Sequence, residues 1–420
     1  MPDVIHVSSV AGSPLLDSAG ERLGRVDDVV VRIDDGALPP VVGLRARIGG
    51  REMFVPIARL EQFGPDIVRT STTKLNLAQF ERREGEILLR RDILDRSLIN
   101  VTTARLVTAR EVELVRDADG TWRVAGIDPS FRPRLWRLLP RRFRGHDTEH
   151  QEFVSWTDLE PFVGHVPTSR LKLATRRLVR LHPAQIADLV EAASHEEGEE
   201  ILEAVAEDKE LEADVFEELD DEHQVEFLRE RSDREAAEIL ARMDPDDAAD
   251  LLLELAQERR IPVLNLLPAA NQHKIRSLLG YNPSTAGGMM NPDFVSVVEH
   301  TTAAEALERV RASDLSPHEL AVVCVIDAAG KLTGAVSLAE LAHADPHRRV
   351  GDLVDADAPD PTVALEADLP EVALVMADYN LIAIPVVDGD CKPAGLISVD
   401  DVLELLVPEE WRRRAGAGRS

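Results

Sequence analysis

Apolar residues in the middle of the chain, over residues 168–280, recur every three or four positions, which is the period of helices with one buried face. Leu219, Met243 and Leu267 lie 24 residues apart along this segment. Each precedes a run typical of a helix start, such as Asp244-Pro245-Asp246-Asp247 after Met243. The pattern predicts an all-α domain built from stacked helix pairs.

The C-terminal part, residues 281–408, alternates short apolar runs with helical patterns, and it does so twice. Three pairs of positions hold the same 61-residue spacing: Asp327 and Asp388, Gly334 and Gly395, and Ser337 and Ser398. In the second copy the pattern predicts a helix over residues 369–379, strands over 383–387 and 394–398, and a helix over 399–407. Two copies of such a strand–helix unit are expected to pack together as one α/β module.

The first 165 residues contain short strand patterns separated by turn signals. Asp17-Ser18-Ala19-Gly20 and Asp34-Asp35-Gly36 are predicted turns, and the strand pattern Leu23–Ile33 lies between them. A weaker second copy follows, in which Phe153-Val154-Ser155-Trp156 corresponds to Phe54-Val55-Pro56-Ile57 of the first copy. The segment therefore predicts two small β-barrel repeats, residues 1–80 and 86–165.

The repeat over residues 281–408 resembles a tandem CBS-domain pair, also called a Bateman module. The segment near its start, Thr285-Ala286-Gly287-Gly288-Met289-Met290, resembles the junction between the helical N domain and the CBS pair of MgtE-type magnesium channels. The helical segment is similar to that N domain in Leu181–Leu189 and Met243–Leu251. The resemblance covers about residues 170–407. It implies CBS repeats at residues 281–345 and 346–408, with a basic tail at 409–420.

The N-terminal run Leu23-Gly24-Arg25-Val26-Asp27-Asp28-Val29 is similar to the PRC-barrel family, whose members serve as docking and assembly modules. The predicted fold is therefore multidomain α+β. It has PRC-like small β-barrels over residues 1–165, an all-α superhelical domain over 168–280 and an α/β tandem CBS pair at the C-terminal end. A PRC-like barrel defines no chemistry by itself.

The formal net charge of −29 disfavours binding to DNA, whose phosphates repel an acidic protein, and favours binding of divalent cations. One local exception is the insert Arg132–Arg144, which holds six arginines. It has two interpretations, a contact for RNA or anionic lipid and a solvated loop, and the solvated loop is favoured. The two cysteines, Cys324 and Cys391, form no disulfide or zinc pattern and fit a reducing compartment.

The longest apolar runs, Leu320–Ile326 and Leu381–Val387, are only seven residues long, whereas a spanning helix needs ~20. The N-terminus also lacks the basic and apolar segments of a signal peptide. MgtE channels carry their pore after the CBS pair, and this chain ends a few residues beyond that pair. We therefore expect a cytoplasmic protein that does not conduct magnesium by itself.

The MgtE resemblance implies a set of acids that hold Mg²⁺ between the helical domain and the CBS pair. The positions are Asp246 and Asp250 on the helical side and Asp400, Asp401 and Glu404 on the last CBS helix. Mg²⁺ takes oxygen ligands, and two facing acidic surfaces repel each other without a cation. The chain departs from the channels at two acidic positions, Asn380 and Pro370, and each replacement removes a charge from the sensing surface.

CBS clefts in this family also bind adenine nucleotides such as ATP, through a Gly-h-x-Ser/Thr-x-x-Asp motif in which h is apolar. The second copy matches it with Gly395, Ser398 and Asp401. The first copy has Gly334, Ser337 and Glu340, so that a longer Glu replaces the Asp. Two interpretations stay open, a nucleotide site and a structural turn, and both the metal and the nucleotide hypotheses use Asp401.

No nucleophile and base pairing, P-loop or zinc motif appears in the chain, so we expect no enzyme. Two functional hypotheses remain. The first is a magnesium-responsive regulator that closes its acidic helical domain onto the CBS pair and acts on a protein partner, such as a membrane transporter. The second is an assembly scaffold that docks through the PRC-like barrels, or a nucleotide sensor based on the CBS pair. The resemblance also implies a homodimer through the CBS pair.

Overall fold

A computed structural model describes residues 4–33, 38–65, 67–73, 78–83, 85–130, 153–162, 175–313, 315, 319–354 and 361–407. The chain divides into two compact units, Met1–Glu218 and Leu219–Ser420. The arginine-rich insert 132–144 and the tail 409–420 lie outside the described residues. Within the described ranges, every helix is too short or too polar to cross a membrane.

The N-terminal part of the first unit is built from strands, as its turn-separated pattern predicts. The strands are β1 (Val4–His6), β2 (Pro14–Leu16), β3 (Arg22–Arg32), β4 (Val41–Ile48), β5 (Arg51–Pro56), β6 (Leu60–Phe63), β7 (Val68–Thr70), β8 (Glu86–Leu88), β9 (Ser97–Asn100), β10 (Arg105–Thr108), β11 (Glu111–Arg116), β12 (Trp122–Asp128), β13 (Val154–Ser155) and β14 (Leu159–Pro161). They form sheets in the orders β1-β11-β12-β13, β10-β9-β14 and β5-β4-β3-β2-β7-β6, with β8 paired to β3. The assignment of this region to the PRC-barrel family stays a prediction.

The two predicted N-terminal repeats, residues 1–80 and 86–165, exchange their opening segments. Strand β1 opens the first repeat, yet it pairs with β11 of the second, where Val4 lies opposite Val115. Strand β8 opens the second repeat, yet it pairs with β3 of the first, where Leu88 lies opposite Val30. Each repeat therefore completes the sheet of the other, and their apolar side chains form one continuous core.

A buried carboxylate caps the helical turn that follows each exchanged strand. Glu111 accepts hydrogen bonds from the backbone N–H of Ser8, at 3.0 Å, and from the Ser8 hydroxyl. Asp28 accepts from the backbone N–H groups of Arg90 and Arg91, at 2.7 and 3.1 Å. Burial raises the pKa of Asp28 to about 6, because loss of hydration outweighs the support of these N–H groups. The equivalent caps indicate that the exchange is built into both repeats.

The exchange predicts that neither repeat folds alone. Residues 1–80 and 81–420, produced as separate chains, should each expose an unpaired strand and should associate into a stable complex. Copurification and size-exclusion chromatography check this. Glu111→Ala, which removes the cap on Ser8, should weaken the complex, whereas Glu61→Ala on an exposed strand should not. Two monomeric, independently folded fragments would contradict the prediction.

The first unit also contains the first helices of the central domain. These are α2 (Thr175–Leu178), α3 (Pro183–Ala192), α4 (His195–Val205) and α5 (Lys209–Glu218), after a short helix α1 (Val7–Val10) in the β region. Helix α3 packs on α4 and α5 and also on strand β10. Capping boxes of His182 with Gln185 and of Ser194 with Glu197 start α3 and α4, in agreement with the predicted helical domain.

Arg177 of helix α2 joins this helix to the edge strand β14. Its Nε donates to Glu160 at 2.9 Å, and its Nη atoms donate to the backbone carbonyls of Leu159, at 3.0 Å, and Thr157. Burial raises the pKa of Glu160 to about 7, and the attraction of Arg177 offsets only part of this rise. Glu160 therefore stays partly protonated near neutral pH in the folded state.

The raised pKa of Glu160 predicts the pH dependence of the first unit. A free Glu ionises near pH 4.5, so the unfolded chain loses this proton first, and the free energy of unfolding should fall as pH rises from about 4.5 to about 7. Glu160→Gln should make this fall shallower. Urea unfolding followed by the fluorescence of buried Trp122 and Trp156 measures it. Glu61→Gln is the exposed control, and an unchanged slope in Glu160→Gln would contradict the assignment.

The second unit begins with five further helices. They are α6 (Asp221–Glu230), α7 (Asp233–Leu240), α8 (Pro245–Glu254), α9 (Gln257–Leu266) and α10 (Ala269–Leu278). Helix α7 packs on α9, and α8 packs on α6, α9 and α10. Helices that are two apart in the chain order therefore contact each other. Arg259 of α9 ties this stack together. It donates to Asp233 at 2.7 Å and to the carbonyls of Leu228 and Arg231.

The CBS-like pair of the second unit follows the predicted repeat closely. Its elements are α11 (Ala286–Met289), β15 (Val295–Val298), α12 (Ala303–Arg311), β16 (Val322–Ile326), β17 (Leu332–Ser337), α13 (Leu338–His343), β18 (Val363–Ala364), α14 (Leu369–Tyr379), β19 (Ala383–Val387), β20 (Pro393–Ser398) and α15 (Val399–Leu406). Each repeat has a three-stranded sheet, β15-β16-β17 or β18-β19-β20. In both, the first pair is parallel and the second antiparallel.

The repeated Asp of the sequence pattern is a turn residue. Asp327 accepts from the backbone N–H groups of Ala329 and Lys331, both at 2.8 Å, and so closes the β16–β17 hairpin. Asp388 does the same for the β19–β20 hairpin. The 61-residue spacing of these acids therefore reports a repeated turn.

Candidate functional site

Asp246 lies in the first turn of helix α8. Asp244 is the N-cap residue and Pro245 opens the helix, where a residue without a backbone N–H is tolerated. The positive end of the helix dipole favours acids at this place. The Asp-Pro-Asp-Asp sequence thus forms the helix start that was predicted and directs carboxylates to one end of α8.

Asp401 lies in the first turn of helix α15, at the C-terminal end of the CBS-like pair. It forms a capping box with Ser398: its carboxylate accepts from the Ser398 backbone N–H at 3.0 Å, and its own N–H donates to the Ser398 hydroxyl at 3.3 Å. The box fixes the Asp401 side chain at the helix start. The second carboxylate of this turn, Asp400, is exposed.

Asp246 and Asp401 are brought together within the second unit. Oδ1 of Asp246 is buried and has no hydrogen-bond partner among the described residues. Burial raises the pKa of Asp246 well above its ordinary value, and the negative charges of Asp401, Asp244 and Asp250 raise it further. Asp244 was not among the acids singled out from the sequence, although it opens the same Asp-Pro-Asp-Asp motif.

A buried carboxylate oxygen without a hydrogen-bond partner makes the ionised form costly, and three nearby negative charges increase this cost. A proton or a cation removes the cost. Hard divalent cations take carboxylate oxygens as ligands, so the oxygen atoms of Asp246 and Asp401 suit Mg²⁺. The arrangement can therefore couple cation binding to the contact between helix α8 and helix α15.

The other predicted metal ligands lie around this pair with less burial. Asp250 is exposed, and desolvation of its carboxyl together with the charges of Asp221 and Glu254 raises its pKa to about 6. Asp400 and Glu404 are exposed on helix α15. The structure thus places Asp246 near the charge of Asp401, with Asp250 one helical turn further along α8.

The two departures from the channel pattern have structural roles. Asn380 is the C-cap of helix α14 and has a left-handed backbone with φ of 52°, which Asn tolerates better than most residues. Pro370 lies in the first turn of the same helix, where Pro is well tolerated. Both residues therefore help to delimit α14.

The predicted nucleotide residues form helix caps in both repeats. Ser337 and Glu340 make a capping box at α13, in which the Glu340 carboxylate accepts from the Ser337 N–H at 2.8 Å and from its hydroxyl at 2.7 Å. Ser398 and Asp401 make the equivalent box at α15. A nucleotide that used these hydroxyls would have to compete with the caps.

The glycines of the motif lie in strands. Gly334 is opposite Val325, beside a bulge in the β16–β17 ladder. Gly395 packs under the junction segment, where a Cβ atom would lie 2.6 Å from the carbonyl oxygen of Asn291. Asn291 also pairs with Leu396 through both backbone groups, at 2.8 and 2.9 Å. The junction therefore packs on the second repeat and requires glycine at 395.

The junction glycines also allow close packing. A Cβ at Gly288 would lie 2.4 Å from the carbonyl oxygen of Asn282, and one at Gly287 would lie 3.0 Å from the Tyr281 ring. Gly287 donates from its backbone to Leu365 near the start of the second repeat, at 2.9 Å. These contacts explain why the junction contains two adjacent glycines.

Comparison with known families agrees with this architecture. Residues 181–284 match the MgtE intracellular N domain. Residues 286–347 and 350–408 each match the CBS domain. These are regulatory, non-catalytic kinds of domain.

Two magnesium transporters match about a third of the chain. The magnesium transporter MgtE of Thermus thermophilus is 34% identical over 145 residues, which cover 34% of this chain and 32% of that protein. The magnesium transporter MgtE of Bacillus subtilis is 27% identical over 164 residues, which cover 37% of this chain and 35% of that protein. The chain thus spans about a third of the length of these relatives.

Two solved structures resemble the chain over more than half of its length. The soluble part of a magnesium transporter is 26% identical, with a TM-score of 0.51, and the match covers 56% of this chain and 96% of that one. The cytosolic domain of the Mg²⁺ channel MgtE in complex with ATP is 29% identical, with a TM-score of 0.51, covering 57% and 95%. Both are cytosolic or soluble parts of their proteins, in agreement with the cytoplasmic location expected from the sequence.

Fold and site together define a regulatory assembly in which an acidic helical domain adjoins a tandem α/β pair. The chain contains the MgtE intracellular N domain followed by a tandem pair of CBS domains. The resemblance predicted from Thr285–Met290 and from the 61-residue repeat is thereby confirmed.

Proposed function

We propose that this protein is a cytosolic magnesium-responsive regulator. Mg²⁺ binds between the first turns of α8 and α15, removes the repulsion between their carboxylates and holds the helical domain on the CBS pair. The closed form then acts on a protein partner, for which a membrane transporter is the proposed class. We also propose the domain boundaries predicted from the sequence, at residues 1–165, 168–280, 281–345 and 346–408.

The observation that carries this proposal is the buried, unpartnered Oδ1 of Asp246 beside the charge of Asp401. Without a cation, this contact is unfavourable at neutral pH. With a cation, the same oxygens become ligands, so the cation binds the closed form more tightly than the open one. Such a difference in affinity is what shifts a population between two conformations. The relatives named as magnesium transporters support Mg²⁺ as the cation.

An exposed apolar surface supports a homodimer through the CBS pair. Helices α14 and α15 and the residue before strand β19 carry six large exposed apolar residues: Leu374, Tyr379, Ile382, Leu403, Leu405 and Leu406. Single exposed apolar residues are ordinary, whereas a cluster of this kind marks an interaction surface. We propose that a second copy of the chain covers this surface.

Asp246→Asn tests the magnesium proposal. In EDTA at neutral pH, the variant should unfold at a higher temperature than the wild type, because it removes a buried charge that lacks a partner. In millimolar Mg²⁺ the wild type should gain stability and the variant should gain little. Differential scanning calorimetry of the full chain, with Mg²⁺ compared to Na⁺ at equal ionic strength, measures both effects.

Asp247→Asn is the matched control, because Asp247 is exposed in the same helical turn. It removes the same charge from the same helix start and should keep the magnesium response of the wild type. Equal loss of the magnesium response in both variants would mean that Mg²⁺ stabilises the protein by general charge screening. No specific response to Mg²⁺ in the wild type would refute the proposed function.

Adenine-nucleotide binding is a second candidate function. The observation that favours it is the match to a cytosolic domain whose solved structure holds ATP. The second repeat keeps Gly395, Ser398 and Asp401, so we propose that ATP binds there. In the bound state, the Ser398 hydroxyl would contact a ribose or phosphate group of ATP in place of its present partner in the helix cap.

Ser398→Ala and Ser337→Ala form a matched pair for this test. Both remove a helix cap and should cost about 1 kcal/mol of stability each. If ATP binds the second repeat, Ser398→Ala should lower its affinity by about ten- to a hundredfold, since a lost hydrogen bond to a charged group is worth about 1.5–3 kcal/mol. Ser337→Ala should leave the affinity unchanged. Isothermal titration calorimetry measures the affinity. Equal effects of the two variants, or no saturable binding, would contradict the second candidate.

A further inference from the structure

A second contact joins the helical domain to the CBS pair within the second unit. Lys274 on helix α10 donates from Nζ to a carboxylate oxygen of Asp293 at 2.5 Å. The side chains of Lys274 and Asp293 are 34% and 21% exposed, so water screens the pair only in part. Asp293 belongs to the segment that leads from the junction into strand β15. The contact is therefore attractive, whereas the contact at Asp246 and Asp401 is repulsive.

Asn291 anchors the acceptor Asp293 to both CBS repeats. The Asn291 side-chain oxygen accepts from the Asp293 backbone N–H at 2.9 Å, and its Nδ2 donates to buried Glu319 of the first repeat at 2.7 Å. The Asn291 backbone pairs with Leu396 of the second repeat. Asp293 is thus held in a fixed place on the CBS pair, and Lys274 reaches it from the helical domain.

Helices α8 and α10 pack against each other, so the two contacts act on one body. Helix α8 presents Asp246 to Asp401, and helix α10 presents Lys274 to Asp293. Formation of the Lys274 pair needs no metal ion. It therefore stabilises the closed arrangement at every cation concentration and offsets part of the repulsion between the acids.

We propose that Lys274 and Asp293 form a cation-independent latch that sets the magnesium concentration at which the helical domain closes on the CBS pair. A strong latch lowers the concentration of Mg²⁺ needed for closure, and a broken latch raises it. The magnesium consequence rests on the proposed function. The latch itself is a contact that exists with or without Mg²⁺.

The test is hydrogen exchange of the full chain, measured by mass spectrometry in EDTA and across a Mg²⁺ titration. Lys274→Met keeps the aliphatic length of the side chain and removes its charge. In EDTA it should speed exchange in residues 288–294 and in helix α10. It should also raise the Mg²⁺ midpoint for protection of the first turns of α8 and α15 by about two- to fivefold, the range expected for one partly exposed ion pair. Asp293→Asn should do the same.

Arg276→Met is the matched control. Arg276 lies on the same helix, and its guanidinium donates to Asn265 at 3.0 Å, away from the junction. This variant removes one positive charge from α10 and should leave both readouts at wild-type values. The charge-swapped double variant Lys274→Glu with Asp293→Lys should return the midpoint towards the wild type, which shows that the pair acts rather than general damage to the fold.

Wild-type behaviour of Lys274→Met in both readouts would overturn the latch. So would a midpoint shift in Arg276→Met equal to that in Lys274→Met. If the wild type shows no protection with Mg²⁺, the proposed function is refuted, and exchange in EDTA decides the latch alone. Faster exchange in Lys274→Met and its reversal in the swapped variant would then support the latch, and unchanged exchange would overturn it.

Discussion

The buried carboxylate oxygen of Asp246 near the charge of Asp401 is the constraint on which the proposed function depends. A charge in this position lacks the water that would stabilise it and faces further negative charges. In the proposed function, a proton, a cation or an attraction elsewhere compensates for this charge when α8 lies near α15. Burial makes the ionised Asp246 carboxylate unfavourable. Carboxylate oxygens are ligands that hard cations prefer, so such a cation can neutralise this charge.

The sequence around the junction holds this unfavourable contact in place. Gly287 and Gly288 allow close packing at the junction between the helical stack and the first CBS repeat, and Gly395 allows the junction segment to pack on the second repeat. Asn291 then links both repeats, and the cap formed by Ser398 orients Asp401. The Asp401 carboxylate is thereby held at the start of α15.

Local pattern predicted much of this fold because the CBS repeat and the helical stack depend on local periodicity and turns. Helix α14 and strand β19 begin and end where the pattern placed them. The exchange between β1 and β11 was not predicted, because periodicity identifies a strand but not a partner about a hundred residues away. The pairing of Asp246 with Asp401 came from resemblance to a family, since no spacing along the chain relates α8 to α15. Lys274 and Asp293 had no sequence signal, because each is an ordinary surface charge until the junction brings them together.

The most direct measurement is anomalous scattering from Mn²⁺ in crystals of the full chain grown at neutral pH. Mn²⁺ accepts the same oxygen ligands as Mg²⁺ and can be located by its anomalous signal. The account predicts an anomalous peak within bonding distance of Asp246 at the first turn of α8, reduced by competing Mg²⁺ and lost in Asp246→Asn. Crystals that keep α8 against α15 without a peak beside Asp246 would contradict it, because a proton would then be sufficient to stabilise the contact.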